Sequence, residues 1–355
     1  MTIAIILGTR PEIIKMAPVI RECQRRGLDH FVLHTGQHYS YEMDRVFFEQ
    51  LELAPPEYNL DAGSGTHADQ TGRIMSGIEK VLMKAEPDVV LVQGDTNTVL
   101  AGALAASKLH IKVGHVEAGL RSYDRSMPEE INRIVADHIS DYLFAPTKNS
   151  RANLRKEGIA EEKISVTGNT IVDSVYQNRE IADRKVDVLK DLGLEPKEYF
   201  LVTAHRAENV DNQSRLKEIL KGLELIKKEF GLPVIFPMHP RTRKMVNEFG
   251  LELDGIRVIE PVGFLEFLQL EANARLVLTD SGGVQEETCI LGVPCVTLRE
   301  NTERPETVDV GGNVLVGARA HEMLKATRQM LSRGNGWKNP FGDGRAGSLI
   351  LDSLA

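Results

Sequence analysis

Short apolar runs alternate with amphipathic stretches along the first half of the chain. The apolar runs predict strands at residues 2–7, 30–34, 88–92, 111–116 and 142–145. Apolar positions at the helical period predict helices at residues 11–25, 42–51 and 98–108. An alternation of this kind predicts a parallel sheet with helices on both faces.

A second series of the same kind begins after residues 166–170. It predicts strands at residues 199–203, 234–237, 257–259, 275–279 and 295–298, with helices between them at 216–230 and 264–273. We therefore expect an α/β protein of two Rossmann-like, doubly wound domains that face a cleft. The predicted domains are residues 1–168 and residues 169–342.

Polar residues follow the predicted strands directly, at the end where each strand leaves its sheet. The polar segments are Gly8-Thr-Arg-Pro11, Gly94-Asp-Thr-Asn97 and Glu117, then Ala204-His-Arg206, His239-Pro-Arg241 and Asp280-Ser-Gly-Gly283. The carboxyl ends of parallel strands lie at one edge of a sheet, and ligands bind beyond that edge. The sequence therefore predicts one polar edge in each domain and a pocket between them.

Composition narrows the class of protein. A length of 355 residues suits two domains, and a formal net charge of −8 argues against a general nucleic-acid binder. Three cysteines without ligand spacing predict no metal site. Arg10 and Pro11 end the first apolar run, and no run approaches the roughly 20 residues that span a bilayer. We expect a cytoplasmic protein without a membrane segment.

Two carboxylates stand close to the end of one predicted strand. Glu117 comes just past the strand at residues 111–116, and Glu129 begins a predicted helix. Two acids at one sheet edge can move a proton to and from one substrate atom. Glu129 also has a structural interpretation: it completes a capping box with Ser126 and forms an i, i+4 pair with Arg133.

A glycine-containing turn after the strand at residues 275–279 predicts an anion site. Gly282 and Gly283 leave backbone N–H groups open at a helix start, and Ser281 can both cap the helix and touch a phosphate oxygen. Glu287 lies about one turn later, within reach of ribose hydroxyls. The alternative is a tight turn with a cap. The turn lacks the Gly-x-Gly-x-x-Gly fingerprint, so no nicotinamide cofactor is expected.

Basic residues and one histidine add to these edges. Arg10 precedes Pro11, which suits the first position of a helix, so the guanidinium is expected over that helix start, where it can contact a pyrophosphate. Lys15 and Arg304 lie in similar turns. His205 shares a crowded polar turn with Arg206, Glu208 and Asn209, which a dry core would not tolerate unpaired.

The order of the motifs along the chain is distinctive. They are Gly8-Thr-Arg-Pro-Glu-Ile-Ile-Lys15, Thr35-Gly-Gln-His38, Gln93-Gly-Asp-Thr96, His115-Val-Glu-Ala-Gly-Leu-Arg121, Pro128-Glu-Glu130, Thr203-Ala-His-Arg206, Thr279-Asp-Ser-Gly-Gly-Val-Gln-Glu-Glu287, Thr302-Glu-Arg-Pro305 and Gly342-Asp-Gly344. Together they closely resemble the non-hydrolysing UDP-N-acetylglucosamine 2-epimerases, almost from end to end.

The resemblance implies a glycosyltransferase-B-like pair of domains, with a C-terminal helix at residues 343–355 packing back on the first. It implies a homodimer that interconverts UDP-GlcNAc and UDP-ManNAc at carbon 2 without a cofactor. The implied mechanism is anti elimination of UDP to 2-acetamidoglucal, followed by re-addition with the proton returned from the other face.

The resemblance also implies roles for individual residues. Asp95, Glu117 and Glu129 match the acidic positions, and His205 matches the essential histidine. Each acid stays a candidate for either face of carbon 2. The positions implied for UDP binding are Arg10, Lys15, Ser281, Gly282, Gly283, Glu287 and Arg304. Phe267 matches a position beside the uracil, and it is equally well explained as a core aromatic.

One departure concerns regulation. Bacterial members often place Arg after a Gln-His pair in an activator site for a second UDP-GlcNAc, whereas here Gln37 and His38 are followed by Tyr39 and Ser40. Three other functions stay open. They are a hydrolysing epimerase that releases ManNAc, a UDP-sugar glycosyltransferase with an acceptor site, and a non-catalytic nucleotide-sugar sensor.

Overall fold

The protein divides into two compact units. The computed structural model describes residues 1–37 and 41–354, with the side chains of residues 41–43 also outside the described set. The first unit comprises Met1–Gln177 and Phe341–Ala355, and the second comprises Asn178–Pro340. The sequence predicts a division at residue 168. The structure places it at Gln177, inside a helix that begins at Thr170.

The first unit contains a seven-stranded sheet in which every pairing is parallel. Its strands are β1 (Ile3–Leu7), β2 (His30–His34), β3 (Tyr58–Asn59), β4 (Val89–Gln93), β5 (Lys112–Val116), β6 (Tyr142–Ala145) and β7 (Ile164–Val166). Its helices are α1 (Arg10–Arg26), α2 (Tyr41–Gln50), α3 (His67–Ala85), α4 (Asn97–Lys108), α5 (Pro128–Ile139), α6 (Lys148–Lys156) and the start of α7 (Thr170–Lys185).

The strand order in this sheet is β3-β2-β1-β4-β5-β6-β7. All five residues of β1 and all five of β4 are buried, as expected for central strands covered by helices on both faces. The order reverses between β1 and β4, so the loops after these two strands diverge to opposite faces. Such a switch point is where α/β sheets bind ligands.

The second unit contains a six-stranded parallel sheet. Its strands are β8 (Phe200–Thr203), β9 (Val234–Pro237), β10 (Ile256–Ile259), β11 (Leu276–Thr279), β12 (Cys295–Thr297) and β13 (Asn313–Leu315). Its helices are α8 (Val188–Leu192), α9 (Ala207–Val210), α10 (Gln213–Phe230), α11 (Pro240–Glu248), α12 (Phe264–Asn273), α13 (Gly282–Leu291), α14 (Pro305–Asp309) and α15 (Ala320–Arg333). The order β10-β9-β8-β11-β12-β13 puts the switch point between β8 and β11.

The last helix, α16 (Ala346–Asp352), packs against α1 in the first unit. The Asp173 carboxylate accepts hydrogen bonds from the amides of Ala346 (3.1 Å) and Gly347 (2.9 Å). A Cβ at Gly347 would lie 3.2 Å from the Pro18 carbonyl oxygen, so glycine permits the close approach of the two helices. Among the described residues, no helix combines the length and apolarity that a membrane crossing requires.

These observations confirm the prediction of two doubly wound parallel sheets. The ten predicted strands correspond to β1, β2, β4, β5, β6 and β8–β12. The sequence analysis missed the outer strands β3, β7 and β13, which have only two or three residues each. Their side chains are largely half-buried or exposed, so no continuous apolar run marks them.

Candidate active site

Glu117 stands at the carboxyl end of β5 in a conformation unusual for a side-chain-bearing residue. Its φ is +72°, in the left-handed region that favours glycine. The buried carboxylate accepts from Lys15 Nζ at 2.8 and 2.7 Å, from Gln93 Nε2, and from Asn169 Nδ2 at 3.4 Å. One cation and two amides from three other segments therefore fix this acid.

Asp95 and Glu129 line one cavity of about 310 Å³ at the β1–β4 switch point. Asp95 follows β4, and its carboxylate forms an ion pair with Arg133. Asn132 Nδ2 donates to the Asp95 backbone oxygen at 2.8 Å. The structure thus brings two of the three predicted acids to the same cavity.

Glu129 makes neither of its predicted structural contacts, and its neighbour Glu130 makes the hydrogen bonds at this helix start instead. The Glu130 carboxylate accepts from the Ser122 and Tyr123 amides at 2.9 and 3.0 Å and from Arg133 Nη1 at 2.9 Å. Burial alone would raise the pKa of Glu130, but these hydrogen bonds lower it.

The predicted capping box at the start of α5 does not form. Met127 is the N-cap residue, no side chain caps the helix, and the Ser126 hydroxyl donates to Asp124 at 2.6 Å. Within the described part of the chain, the Glu129 carboxylate has no hydrogen bond or ion pair. It lies at the cavity instead.

One further acid, Glu12, holds two loops of the first unit in place. Glu12, in α1, accepts from the Gly8 amide at 2.8 Å and from Thr96 Oγ1 at 2.7 Å, which joins the loop after β1 to the loop after β4. Burial raises the pKa of Glu12. A Cβ at Gly8 would overlap Thr35 Oγ1 and Thr98 Oγ1, so this loop requires glycine.

A buried cluster of charges lies behind Asp95. His115 Nδ1 is 2.7 Å from Asp137 Oδ1, and Asp137 Oδ2 is 2.7 Å from Arg121 Nη2. Glu157 accepts from Arg121 Nε at 2.7 Å and from Nη2 at 2.6 Å. The Arg121 guanidinium is therefore bonded to carboxylates of its own unit.

Arg10 and Gln37 also make contacts within the first unit. Arg10 Nε is 3.1 Å from Asp44 Oδ1, its guanidinium lies 4.9 Å from the Phe47 ring centroid, and its side chain is 36% exposed. Gln37 Oε1 accepts from the Thr98 amide at 3.0 Å, at the first turn of α4. His38, the other residue of the predicted activator site, lies outside the described residues.

His205 and Asp280 meet at the switch point of the second unit. Asp280 is fully buried at the end of β11 and accepts from the His205 and Arg206 amides, both at 3.0 Å, and from Asn209 Nδ2 at 3.1 Å. Burial alone would raise the pKa of Asp280, but these bonds and His205 lower it. His205 Nδ1 lies 3.2 Å from Asp280 Oδ1, and the ring is 46% exposed.

A cavity of about 390 Å³ opens beside His205, lined also by His239, Phe267 and Ser281. The His239 ring centroid is 6.1 Å from that of His205. His239 Nδ1 accepts from the Arg241 amide at 3.2 Å, and burial followed by the charges of His205 and Arg241 lowers the pKa of His239. Phe267 both lines this cavity and packs against the core, so its two interpretations are compatible.

The predicted anion site has the expected backbone, but the Ser281 hydroxyl does not cap the helix. Ser281 is the N-cap of α13, yet its side chain makes no capping hydrogen bond, so that part of the prediction is wrong. A Cβ at Gly282 would come no nearer than 3.8 Å to Glu303, and one at Gly283 no nearer than 3.9 Å to Ser281 Oγ. The turn is therefore open above the helix N-terminus.

The remaining predicted binding residues lie around the same helix. Arg304 Nε forms an ion pair with the buried Glu286 carboxylate at 2.9 Å. Glu287 faces the fully buried Glu271, where burial and then the Glu287 charge raise the pKa of Glu271 well above its ordinary value. Across the described residues, no group of three His, Cys, Asp or Glu side chains has a metal-binding arrangement.

Sequence analysis missed several residues that position the candidate site. The motifs along the chain include Glu12, Gln93 and His115 but indicate no role for them, and Asn169 lies near the predicted domain boundary. The sequence points to the turn after Asp280 rather than to Asp280 itself. The available signal was placement directly after a strand, which Asp280 and His239 share with His205.

A sequence model of the UDP-N-acetylglucosamine 2-epimerases matches residues 21–355. The chain belongs to the UDP-N-acetylglucosamine 2-epimerase family. A family member of that name from Methanocaldococcus jannaschii is 58% identical, over 100% of this chain and 99% of the relative. The predicted family resemblance is thereby confirmed, and with it membership in a family of isomerases.

A solved structure and one more member of the family widen the comparison. The crystal structure of the M. jannaschii UDP-GlcNAc 2-epimerase in complex with UDP-GlcNAc and UDP has a TM-score of 0.87, 58% identity, and coverage of 100% of this chain and 99% of that chain. A Pseudomonas aeruginosa relative named UDP-2,3-diacetamido-2,3-dideoxy-D-glucuronate 2-epimerase is 44% identical, over 100% of this chain and 99% of its own.

Proposed function

We propose that this protein interconverts UDP-GlcNAc and UDP-ManNAc by inverting carbon 2, without net hydrolysis. The observation that carries the proposal is the pairing of Asp95 and Glu129 at one cavity. Glu130 makes the structural hydrogen bonds at that helix start, which leaves the neighbouring Glu129 carboxylate for chemistry. A carboxylate without a structural task at a cavity is a candidate for acid–base work.

The chemistry explains why several acids are needed. The hydrogen on carbon 2 has no adjacent carbonyl, so direct abstraction is unfavourable. As the carbon 1–oxygen bond to UDP breaks, the electron pair leaves with the phosphate and positive charge grows at carbon 1. A carboxylate then takes the carbon 2 proton, which gives 2-acetamidoglucal. Re-addition of UDP at carbon 1, with a proton delivered to the other face of carbon 2, yields the epimer.

Asp95 and Glu129 are the first pair to test for these two proton transfers, and Glu117 completes the acidic set. Glu117 is held by Lys15, Gln93 and Asn169, so its carboxylate has a fixed position and a nearby cation. This environment suits electrostatic stabilisation of positive charge that develops on the sugar. Lys15 therefore has two proposed roles: it positions the Glu117 carboxylate, and it binds a phosphate of the substrate.

His205 is proposed to assist departure of the UDP phosphate. Asp280 faces Nδ1 of His205, so Nε2 stays available to a ligand, and His205 lines the cavity. A carboxylate that orients one ring nitrogen favours hydrogen-bond donation from the other. The N-terminus of α13, with the Ser281 hydroxyl and the Gly282 and Gly283 amides, would bind the phosphate charge.

Separate residues are proposed to bind the uracil, the ribose and the phosphates of UDP. Phe267 lines the cavity beside His205 and is proposed to contact the uracil. Glu287, one turn into α13, is proposed to accept from ribose hydroxyls, and Arg304 to meet the phosphates from its pair with Glu286. Arg10 is a second phosphate candidate because its side chain is partly exposed at the start of α1.

A uronate sugar is the second candidate substrate, suggested by the Pseudomonas relative. The lining of the first-unit cavity argues against it. Asp95 and Glu129 both border this cavity, and none of the described residues that line it is Lys or Arg. A carboxylate on the sugar would meet two acids, and Arg133, which pairs with Asp95, does not line the cavity, so this approach is electrostatically unfavourable. A neutral N-acetylhexosamine fits better.

Proton NMR in heavy water tests the function directly. Incubation with UDP-GlcNAc is expected to give UDP-ManNAc that carries deuterium at carbon 2. Net free ManNAc would instead support the hydrolysing epimerase. An unchanged spectrum without acceptor, followed by transfer when acceptor sugars are added, would support a glycosyltransferase. Binding with no reaction under either condition would support the sensor.

Membership in this family also supports two proposals about assembly and location. We propose that the protein is a homodimer and works in the cytoplasm. Light scattering coupled to size exclusion measures the first, with a mass of about twice 39.4 kDa expected. Fractionation of producing cells measures the second. A monomeric mass at the assay concentration would contradict the first proposal without affecting the assignment of the chemistry.

A further inference from the structure

His115 has hydrogen-bond acceptors at both of its ring nitrogens. Nδ1 lies 2.7 Å from Asp137 Oδ1, and Nε2 lies 2.8 Å from the Gly94 carbonyl oxygen, while the side chain is fully buried. A neutral imidazole has one donor nitrogen and one acceptor nitrogen, and a carbonyl oxygen can only accept. Both contacts are satisfied together only when both ring nitrogens carry hydrogen.

Asp137 cannot supply the missing proton itself. Its Oδ2 accepts from the Gly119 amide at 3.1 Å and lies 2.7 Å from Arg121 Nη2. Burial would raise the pKa of Asp137, but His115, Arg121 and their hydrogen bonds lower it. The carboxylate is therefore ionised, and His115 is the donor in the bond between them.

The charges around His115 balance when its ring is protonated. The groups that face it are Asp137 from α5, Arg121 from the loop after β5, and the Gly94 carbonyl after β4. Glu157, at the end of α6, pairs with Arg121. Two cations and two anions then form one buried cluster. Loss of the His115 proton would leave it with an uncompensated negative charge, which is costly away from water.

We infer that His115 is a positioning residue whose imidazolium, bonded to Asp137 and to the Gly94 carbonyl, fixes the backbone that carries Asp95. Gly94 directly precedes Asp95 and has φ +86°, so rotation of this peptide would redirect the acid. Asp137 belongs to the same helix as Glu129, and His115 stands two residues before Glu117. One buried ring thus ties together the segments that carry all three candidate acids.

The protonation state can be measured without any assay of activity. Protein labelled with ¹³C and ¹⁵N is titrated by long-range proton–nitrogen NMR, and the His115 ring is assigned by through-bond correlation to its own backbone, which needs no variant. We expect imidazolium signals from both His115 nitrogens at about pH 8, where an ordinary histidine is neutral. An unprotonated nitrogen at about pH 7 would overturn the inference.

Backbone positioning is measured by amide exchange. The Gly94 amide donates to the Val116 carbonyl at 3.1 Å, so its exchange reports the order of this loop. In His115→Gln we expect faster exchange at Gly94, with the melt still cooperative. The matched control is His138→Gln, because His138 is exposed on α5. Unchanged Gly94 exchange in a folded His115→Gln variant would contradict the positioning role.

The link to catalysis rests on the proposed role of Asp95. For His115→Gln we expect kcat to fall by about tenfold or more with KM within about threefold, because a misplaced acid affects reaction more than binding. His138→Gln should match the wild type. A folded His115→Gln variant with the kcat of the wild type would overturn the catalytic link. Absence of epimerisation in the wild type itself would reject the proposed function and leave the NMR and exchange results to decide the inference.

Should His115→Gln fail to fold, the wild-type titration still decides. Wild-type kcat is then expected to fall as pH rises through the midpoint measured for the His115 ring. Constant kcat across that midpoint would overturn the inference. An imidazolium that persists to the highest pH at which the protein stays folded supports it, because the cluster then holds the proton throughout the working range.

Discussion

Each unit contains a histidine–aspartate pair near the switch point of its sheet, but the surroundings of the two pairs differ. His115–Asp137 lies behind the switch point of the first sheet, with both side chains fully buried and both ring nitrogens bonded. His205–Asp280 lies at the switch point of the second sheet, with the aspartate buried and the ring 46% exposed beside a cavity. Among the described residues, His205 Nε2 has no hydrogen-bond partner.

The difference shows how one chemical pair can serve two purposes. A saturated ring in a dry environment has no capacity left for substrate, so its contribution is rigidity. A ring with one nitrogen oriented and the other free has a fixed direction and an unused donor or acceptor, which catalysis requires. We therefore expect substitutions in the first pair to lower stability as well as turnover, and substitutions of the exposed ring in the second pair to lower turnover with little effect on stability.

The largest expected effect is on activity, from His205→Asn. We expect a loss of roughly 100- to 10,000-fold in kcat, the range typical of a lost acid–base group, with the melting temperature nearly unchanged because the ring is half exposed. Steady-state kinetics and calorimetry measure the two quantities. His239→Asn is the matched control and should lose less. A large drop in stability with kcat intact would erase the contrast between the two pairs.

The next effect separates the two aspartates by stability. Asp137→Ala would leave His115 and Arg121 buried without the negative charge of Asp137. The expected cost is about 3–5 kcal/mol in the free energy of unfolding. Asp280→Ala would leave amide donors unpaired but releases a ring that water already reaches, at about 1–3 kcal/mol. Urea denaturation measures both. Equal losses would show that exposure of the histidine is irrelevant.

Adjacent glutamates repeat the comparison on a smaller scale. Glu129→Gln should lower kcat by about 100-fold with stability within about 0.5 kcal/mol. Glu130→Gln should destabilise by about 1–3 kcal/mol because its oxygens satisfy two backbone amides and Arg133. Activity per folded molecule, combined with thermal melts, distinguishes them. A Glu129→Gln variant that melts early but keeps its turnover would restore the structural interpretation of that residue.

The pH dependence of stability should have opposite signs for His115 and Asp280. The pKa of His115 is raised above its ordinary 6.5, so its stabilisation is complete below that value and is lost as pH rises through the folded-state pKa. The pKa of Asp280 is lowered below 3.8, so its stabilisation is present above that value and is lost as pH falls through the folded-state pKa.

Melting temperatures at about pH 6 and about pH 9 test the predicted loss of the His115 stabilisation at alkaline pH. The wild type should lose about 2–4 °C for each kcal/mol of stabilisation removed. His115→Gln should show a flatter profile over the same interval. An equally steep alkaline decline in the variant would assign the titration to other groups.

The smallest expected effect concerns Ser281. Because its side chain makes no capping bond, Ser281→Ala should leave stability unchanged and raise the KM for the nucleotide sugar about threefold to tenfold through one lost hydrogen bond. Chemical denaturation and initial rates check both expectations. A stability loss of about 1 kcal/mol would show that the hydroxyl caps α13 after all.

The central strands and the polar loops that follow them could be predicted because local pattern determines them. β1 and β4 are continuous apolar runs, and their loops carry Arg10 and Asp95 where the parallel-sheet rule puts them. Family motifs then selected which acids to consider. Both signals depend on residues that are close in sequence.

The division of labour between Glu129 and Glu130 could not be predicted in the same way. Both acids stand in the first turn of α5, and the position of the loop containing Ser122 decides which one meets the backbone amides. The His115–Asp137 bond joins residues 22 positions apart, and the ring's other bond returns to Gly94. Only the folded chain brings these groups together, so sequence spacing carries no signal for them.

The course of the chain also has a consequence for biosynthesis. Residues from Phe341 onward belong to the first unit, but a ribosome makes them only after the entire second unit. Until α16 emerges, Asp173 lacks the amides of Ala346 and Gly347, and the surface of α1 at Pro18 stays uncovered. The half of the protein that is translated first is therefore the half that is finished last.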